Sequence, residues 1–185
     1  REIYNITACS LRNDIQSGDG YQFIRTDIRN ASEVRALFKE VCPDVVINTS
    51  ALSVPDFCET HHNEARATNI TAVEHLARAC EQYGSRFIHL STDFVFDGRT
   101  DRLYTEEDEP NPVNYYGITK LEGEERVAEY CGNYAIVRVV VVYGKALPGQ
   151  HGNIMQLVAN KLRSGETIRV VSDQWRTPTF VGDIS

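Results

Sequence analysis

Positive charge is in short supply in this sequence: 19 lysines and arginines face 26 acidic residues, for a formal net charge of −7. A nucleic-acid or membrane-surface binder carries a basic face, so neither nucleic acid nor membrane is an expected partner. No apolar run approaches the ~20 residues that a membrane-crossing helix needs, and no secretory signal is legible. The pattern C-x-x-C is absent as well. Cys9, Cys42, Cys58, Cys80 and Cys131 are odd in number and widely scattered, which suits reduced thiols, several of them in the core, in a cytoplasmic protein. "CETHHNE" puts Cys58, His61 and His62 close together but offers no second ligand pair, so no metal is expected there. Internal repeats and low-complexity segments are also lacking. The chain opens on Arg1 and stops in "FVGDIS", which looks like the start of an element. It reads as part of a longer polypeptide.

What is present is an alternation of two kinds of segment. "IYNITA", "YQFIRT", "DVVINTSA", "RFIHLST", "YAIVRVVVVYG" and "TIRVVS" are short, β-branched or continuously apolar, and read as strands. Between them, "ASEVRALFKEV" carries Val34, Leu37, Phe38 and Val41 on one helical face, with Ser32 as its expected N-cap. Residues 64–83, 114–130 and 153–165 repeat the helical period, with Gly84 stopping the first of these. Strand–helix alternation with buried strands predicts an α/β fold, a doubly wound parallel sheet covered on both faces. Chemistry in such sheets sits at the carboxyl ends of the strands.

One strand end stands out. The run closing at Leu90 delivers Ser91, Thr92 and Asp93, and the next helix carries Tyr116 and Lys120 four residues apart. On their own, Tyr116 and Lys120 read equally well as surface residues of a charged helix. Together with Ser91 and Thr92 they supply hydroxyls, a phenol and an ammonium for chemistry at a carbonyl. Thr92 would hold the carbonyl oxygen, Tyr116 would protonate it, and Lys120 would lower the phenol's pKa from its usual value near 10.

Residues 91–98, "STDFVFDG", the acidic loop "YTEEDEPNP" and the helix "YGITKLEGE" resemble the dTDP-4-dehydrorhamnose reductase family, within the extended short-chain dehydrogenases/reductases. The likeness runs to "DQWRTPT" at residues 173–179. It implies a Rossmann-like domain over residues 1–144 and part of a small substrate-binding region over residues 145–185. No G-x-x-G-x-x-G occurs, so the resemblance places the first strand and its glycine fingerprint upstream of Arg1. It implies NADPH, with NADH as the alternative. The cofactor would meet Ser10, Arg12, Asp27, Ile28, Ser50, Ala51 and Ser91 besides Tyr116 and Lys120. An Arg at position 12 suits a 2′-phosphate; the bland reading of Arg12 is a solvated loop residue. The nucleotide-sugar substrate would meet Val54, Asp56, Thr92, Gln174, Trp175 and Arg176, and a homodimer is left open.

Two departures bear on function. Residues 139–142 are all valine where rhamnose-forming reductases often carry a Trp, which leaves the sugar open. Phe94 follows Asp93 where sugar-nucleotide dehydratases carry a Glu, so Asp93 reads as structural. The β subunit of methionine adenosyltransferase resembles this same family, so a cofactor-binding regulatory subunit is the second reading. An NDP-sugar epimerase is the third.

Overall fold

The computed structural model describes residues 4–12, 20–145 and 153–184, in two compact units, Arg1–Val137 and Arg138–Ser185. Ile3 and residues 13–19, which belong to the expected first strand and the turn after it, lie outside the described residues.

In the first unit, β1 (Thr7–Ser10) pairs in parallel with β2 (Gln22–Arg25), Thr7 opposite Gln22. Helix α1 (Ala31–Val41) follows. Its cap is Asn30 and not Ser32: Asn30 has extended backbone, and its side chain accepts from the Ser32 N–H at 3.0 Å. Ser32 sits two residues too late, already inside the first turn. A second parallel pair joins β3 (Val45–Asn48) to β4 (Arg86–Thr92), with Val45 opposite Arg86, and β5 (Tyr134–Val139) flanks the other edge of β4. The two sheets, β2-β1 and β3-β4-β5, match positions 3-2 and 4-5-6 of the doubly wound order 3-2-1-4-5-6. No described strand takes position 1.

Between β3 and β4 run the short helix α2 (Pro55–Cys58) and a long continuous helix. The latter begins as α3 (His62–Arg66), widens into a π turn at Ala67–Thr71, and continues as α4 (Ala72–Tyr83). Gly84 closes it with φ 71°, a left-handed conformation that costs glycine little. After β4 comes a 3-10 turn, Asp93–Val95, and then α5 (Tyr115–Tyr130). Asn114 caps α5 by accepting from the Gly117 N–H at 2.8 Å, and the Glu59 carboxylate accepts from the Tyr115 N–H at 2.6 Å.

Helices α1, α4 and α5 cover one face of the sheet. Their core is Val34, Phe38, Val73, Leu76, Ala77, Cys80, Phe87 and Val127, with Val46 packed against it. Burying each of the larger side chains contributes about 1.5–3 kcal/mol. The expectation of two covered faces fails at β3, where Val45 and Ile47 are 49% and 62% exposed. Alternation sends these two side chains away from the helical layer.

In the second unit, Thr179 accepts from the Tyr143 N–H and donates its own N–H to Val140, both at 2.9 Å. Helix α6 (Ile154–Arg163), capped by Asn153, precedes the short α7 (Val181–Ile184). The strand expected over residues 167–172 is absent: this segment pairs with nothing described.

Candidate active site

β4 ends in Ser91 and Thr92, and both are buried. Two glycines in α5 let that helix lie against them. A Cβ on Gly117 would run into the Phe94 carbonyl, and one on Gly123 would sit 2.5 Å from the Asn69 carbonyl oxygen. The approach brings the Tyr116 phenol beside the Thr92 hydroxyl, whose influence lowers the phenol's pKa. Thr92 also donates to the Asp93 carboxylate at 3.1 Å and caps the 3-10 turn by accepting from the Phe94 N–H at 3.3 Å. The Tyr116 ring is packed with Cys58, Ala65 and Leu52, and meets the edge of Phe94 at 5.5 Å.

Burial raises the Tyr116 pKa, and it outweighs the opposing hydrogen bond from Thr92. The lowering expected from Lys120 is not found, because its ammonium points elsewhere. Lys120 is buried, its Nζ donates to the Leu90 carbonyl at 2.8 Å and lies 3.2 Å from His89 Nε2. Burial lowers its pKa to about 8, with the Glu124 carboxylate one turn on pulling it back up. Ser91 Oγ, next in sequence to Leu90, is buried without a hydrogen-bond partner.

Three polar residues outside the expected set hold this arrangement. Asn69, fully buried in the π turn, accepts from the Leu52 N–H at 2.8 Å and donates to Leu52 O at 3.1 Å and Thr119 Oγ1 at 3.0 Å. It thereby ties the loop after β3 to α5. His89 and Asn48 form a second tie: Asn48 Nδ2 lies 3.1 Å from His89 Nδ1, and Asn48 Oδ1 accepts from the Ser50 N–H at 3.0 Å. The signal for both was available, since a polar side chain inside "VVINTS" or "RFIHLST" has to find a partner in the core.

The other expected residues of the first unit follow β1, β2 and β3. Ser10 Oγ accepts from the N–H of exposed Arg12 at 3.2 Å after β1. Asp27, after β2, is engaged by Arg29 at 2.8 and 2.7 Å, which lowers its pKa. Ile28 offers its carbonyl to His75 Nδ1 at 3.2 Å. After β3, Ser50 is exposed and Ala51 half-buried, while Val54 and Asp56 face solvent. Gln174, Trp175 and Arg176 belong to the second unit. Trp175 there is 95% exposed, and Arg176 Nη2 donates to Gln174 Oε1 at 3.4 Å. Cys58, His61 and His62 make no metal cluster; Phe57 stacks on His61 and Tyr115 on His62, at 3.7 and 3.8 Å. Among the described residues no helix is long and apolar enough to cross a membrane.

A parallel α/β sheet with this strand end and this Tyr-x-x-x-Lys helix is a Rossmann-like fold of the short-chain dehydrogenase/reductase kind. The family model described as RmlD substrate binding domain matches residues 4–185, and the chain belongs to that family. It is 38% identical over 164 residues to a probable low-salt glycan biosynthesis reductase, Agl14, of Haloferax volcanii, covering 87% of this chain and 54% of that protein. Identity with the dTDP-4-dehydrorhamnose reductase of Shigella flexneri is 35%, over 83% of this chain and 50% of that protein. The methionine adenosyltransferase 2 subunit beta of Danio rerio is 32% identical, over 88% and 50%. The chain thus spans about half the length of the curated relatives it matches. Among solved structures, a dTDP-4-dehydrorhamnose reductase of Clostridium acetobutylicum superposes with TM-score 0.83 at 33% identity, covering 98% of this chain and 67% of that one. One from Bacillus anthracis, in complex with NADP, gives 0.81 at 31%, covering 90% and 59%.

Proposed function

We propose that this chain is part of an NADPH-dependent reductase of a nucleotide-activated 4-keto-6-deoxy sugar, as in dTDP-rhamnose biosynthesis. NADH is the alternative cofactor. The observation that carries the reading is the burial of Tyr116 beside Thr92 at the end of β4, with buried Lys120 one turn along α5. A phenol whose pKa is raised by burial keeps its proton at neutral pH. That suits an acid which delivers the proton only as negative charge develops on a carbonyl oxygen. Thr92 holds that oxygen; Leu52 and Phe94, packed around the Tyr116 ring, exclude water from it.

NADPH, when bound, supplies the hydride. The residues of this site fit such a group: Ser91 Oγ is a buried hydroxyl without a partner among the described residues, and Lys120 carries a donor beyond the one given to Leu90. Lys120, Tyr116, Ser91, Ser50, Ala51, Asp27 and Ile28 would hold it, with Ser10 and Arg12 at the 2′-phosphate. Residues 1–144 form the cofactor-binding region in this reading. Residues 145–185 contribute Gln174, Trp175 and Arg176 to the sugar nucleotide, alongside Val54 and Asp56. A cytoplasmic location and a homodimer belong to the same reading.

The test is NADPH oxidation by the full-length protein with dTDP-4-keto-6-deoxy sugars. Tyr116→Phe should lower kcat about 10²–10⁴-fold while leaving the fold intact. Tight NADPH binding with no turnover of any keto sugar would overturn the reading. That result, together with stoichiometric capture of a methionine adenosyltransferase catalytic subunit, would support the second reading, a regulatory subunit. The identity with the Danio rerio protein favours that alternative.

A further inference from the structure

The side chains of Lys120, His89 and Asn48 form a buried file that ends at the Ser50 N–H, and its hydrogens can be counted. The Ser50 N–H points at Asn48 Oδ1 at 3.0 Å, which leaves Asn48 Nδ2, a pure donor, facing His89 Nδ1 at 3.1 Å. His89 Nδ1 therefore accepts, and a neutral imidazole then carries its hydrogen on Nε2. Nε2 faces Lys120 Nζ at 3.2 Å. An amine accepts that hydrogen; an ammonium cannot. Reversing every member of the file, so that His89 accepts from an ammonium, would set Asn48 Nδ2 against the Ser50 N–H. With Lys120 charged, one donor–donor contact has to exist somewhere along the file.

We propose that His89 is a positioning residue for Lys120: fixed by Asn48 as the Nε2–H tautomer, it donates to Nζ and favours the amine form of that lysine. Burial acts in the same direction, bringing Lys120 to about 8 and His89 to about 3. Glu124, on the same helix, is the carboxylate that opposes it. The consequence for catalysis rests on the reductase reading: Asn48 and His89 set the pH at which Lys120 is charged, and so the pH window in which it meets the cofactor as an ammonium. The tautomer itself does not depend on that reading.

The experiment uses full-length protein labelled with ¹⁵N-histidine and ¹³C-lysine, read by NMR. His89 should be neutral with its hydrogen on Nε2 at neutral pH, and Lys120 should titrate near 8. Asn48→Asp gives the file an acceptor for both the Ser50 N–H and His89 Nδ1–H. Nε2 is then free to accept from an ammonium. The Lys120 midpoint should rise by about one to two pH units, and the pH profile of NADPH oxidation should move with it. A wild-type His89 that is protonated or carries its hydrogen on Nδ1 overturns the proposal. So does an unchanged Lys120 midpoint in folded Asn48→Asp. If that variant does not fold, the wild-type tautomer decides. Wild-type protein that has the Nε2–H tautomer but reduces no keto sugar sinks the reductase reading alone; active protein with Nδ1–H sinks this inference alone.

Discussion

The two units of this chain use similar sequence patterns to different ends. α4 in the first unit and α6 in the second both space apolar residues at helical intervals. On α4, Val73, Leu76, Ala77 and Cys80 are buried, whereas on α6 Ile154, Met155, Leu157 and Leu162 are 46–65% exposed. No described side chain of the second unit is buried, while the first unit buries a lysine, a histidine and two asparagines besides its apolar core. Helical period reports that a face is apolar; it does not report that anything packs on it. Buried polar groups are the better marker of where the fold is most demanding, because each one requires a partner in a fixed place.

Acid should expose the difference most strongly. His89 has its folded pKa depressed to about 3, against about 6.5 when unfolded. Its contribution is therefore fully present above pH 6.5 and is lost as pH falls towards 3, since the unfolded chain takes up the proton first. Urea unfolding followed by circular dichroism should show about 1.4 kcal/mol lost per pH unit across that window. His89→Phe should flatten the dependence; an unchanged slope would show that His89 is not the source.

Next in size is Gly123→Ala, whose Cβ would press on the Asn69 carbonyl. It should destabilise by about 1–3 kcal/mol. Turnover should fall as well, because α5 moves off the end of β4. Lys120→Met should also destabilise, by a different route. It leaves the buried Glu124 carboxylate and the Leu90 carbonyl without the ammonium, so stability should fall, by about 1–2 kcal/mol, while activity is lost. The smallest effect belongs to the second unit: Leu162→Ala, at a side chain 65% exposed, should change stability by no more than about 0.5 kcal/mol. A cost well above that would mean that α6 is covered in the protein, and the contrast between the units would no longer hold.

Much of the first unit was legible because its signals are local. The strand ends, the Gly84 stop and the pairing of Tyr116 with Lys120 on one face all follow from short-range chemistry. The electrostatics were less legible. A Tyr and a Lys one turn apart suggest that the ammonium serves the phenol, yet Nζ turns towards Leu90 and His89, partners about thirty residues away in sequence. The same holds for Gly117 and Gly123, whose purpose shows only once Phe94 and Asn69 are in place. Asn30 displaced Ser32 as a cap because the choice rests on backbone geometry at a single residue. The strand expected over residues 167–172 shows a limit of another kind: β-branched residues form no strand without a neighbour to pair with.

The π turn at Ala67–Thr71 holds one residue more than an α turn would, and it projects Asn69 into the gap between Leu52 and Thr119. That surplus makes the helix unusually informative about single-residue deletions. Removing one residue here would let α3 run straight into α4 as ordinary helix, with the apolar faces on either side kept in phase. The chain would still fold its long helix, but the carboxamide that ties the β3 loop to α5 would be withdrawn. A shortened relative would therefore keep the architecture and lose the brace behind Tyr116.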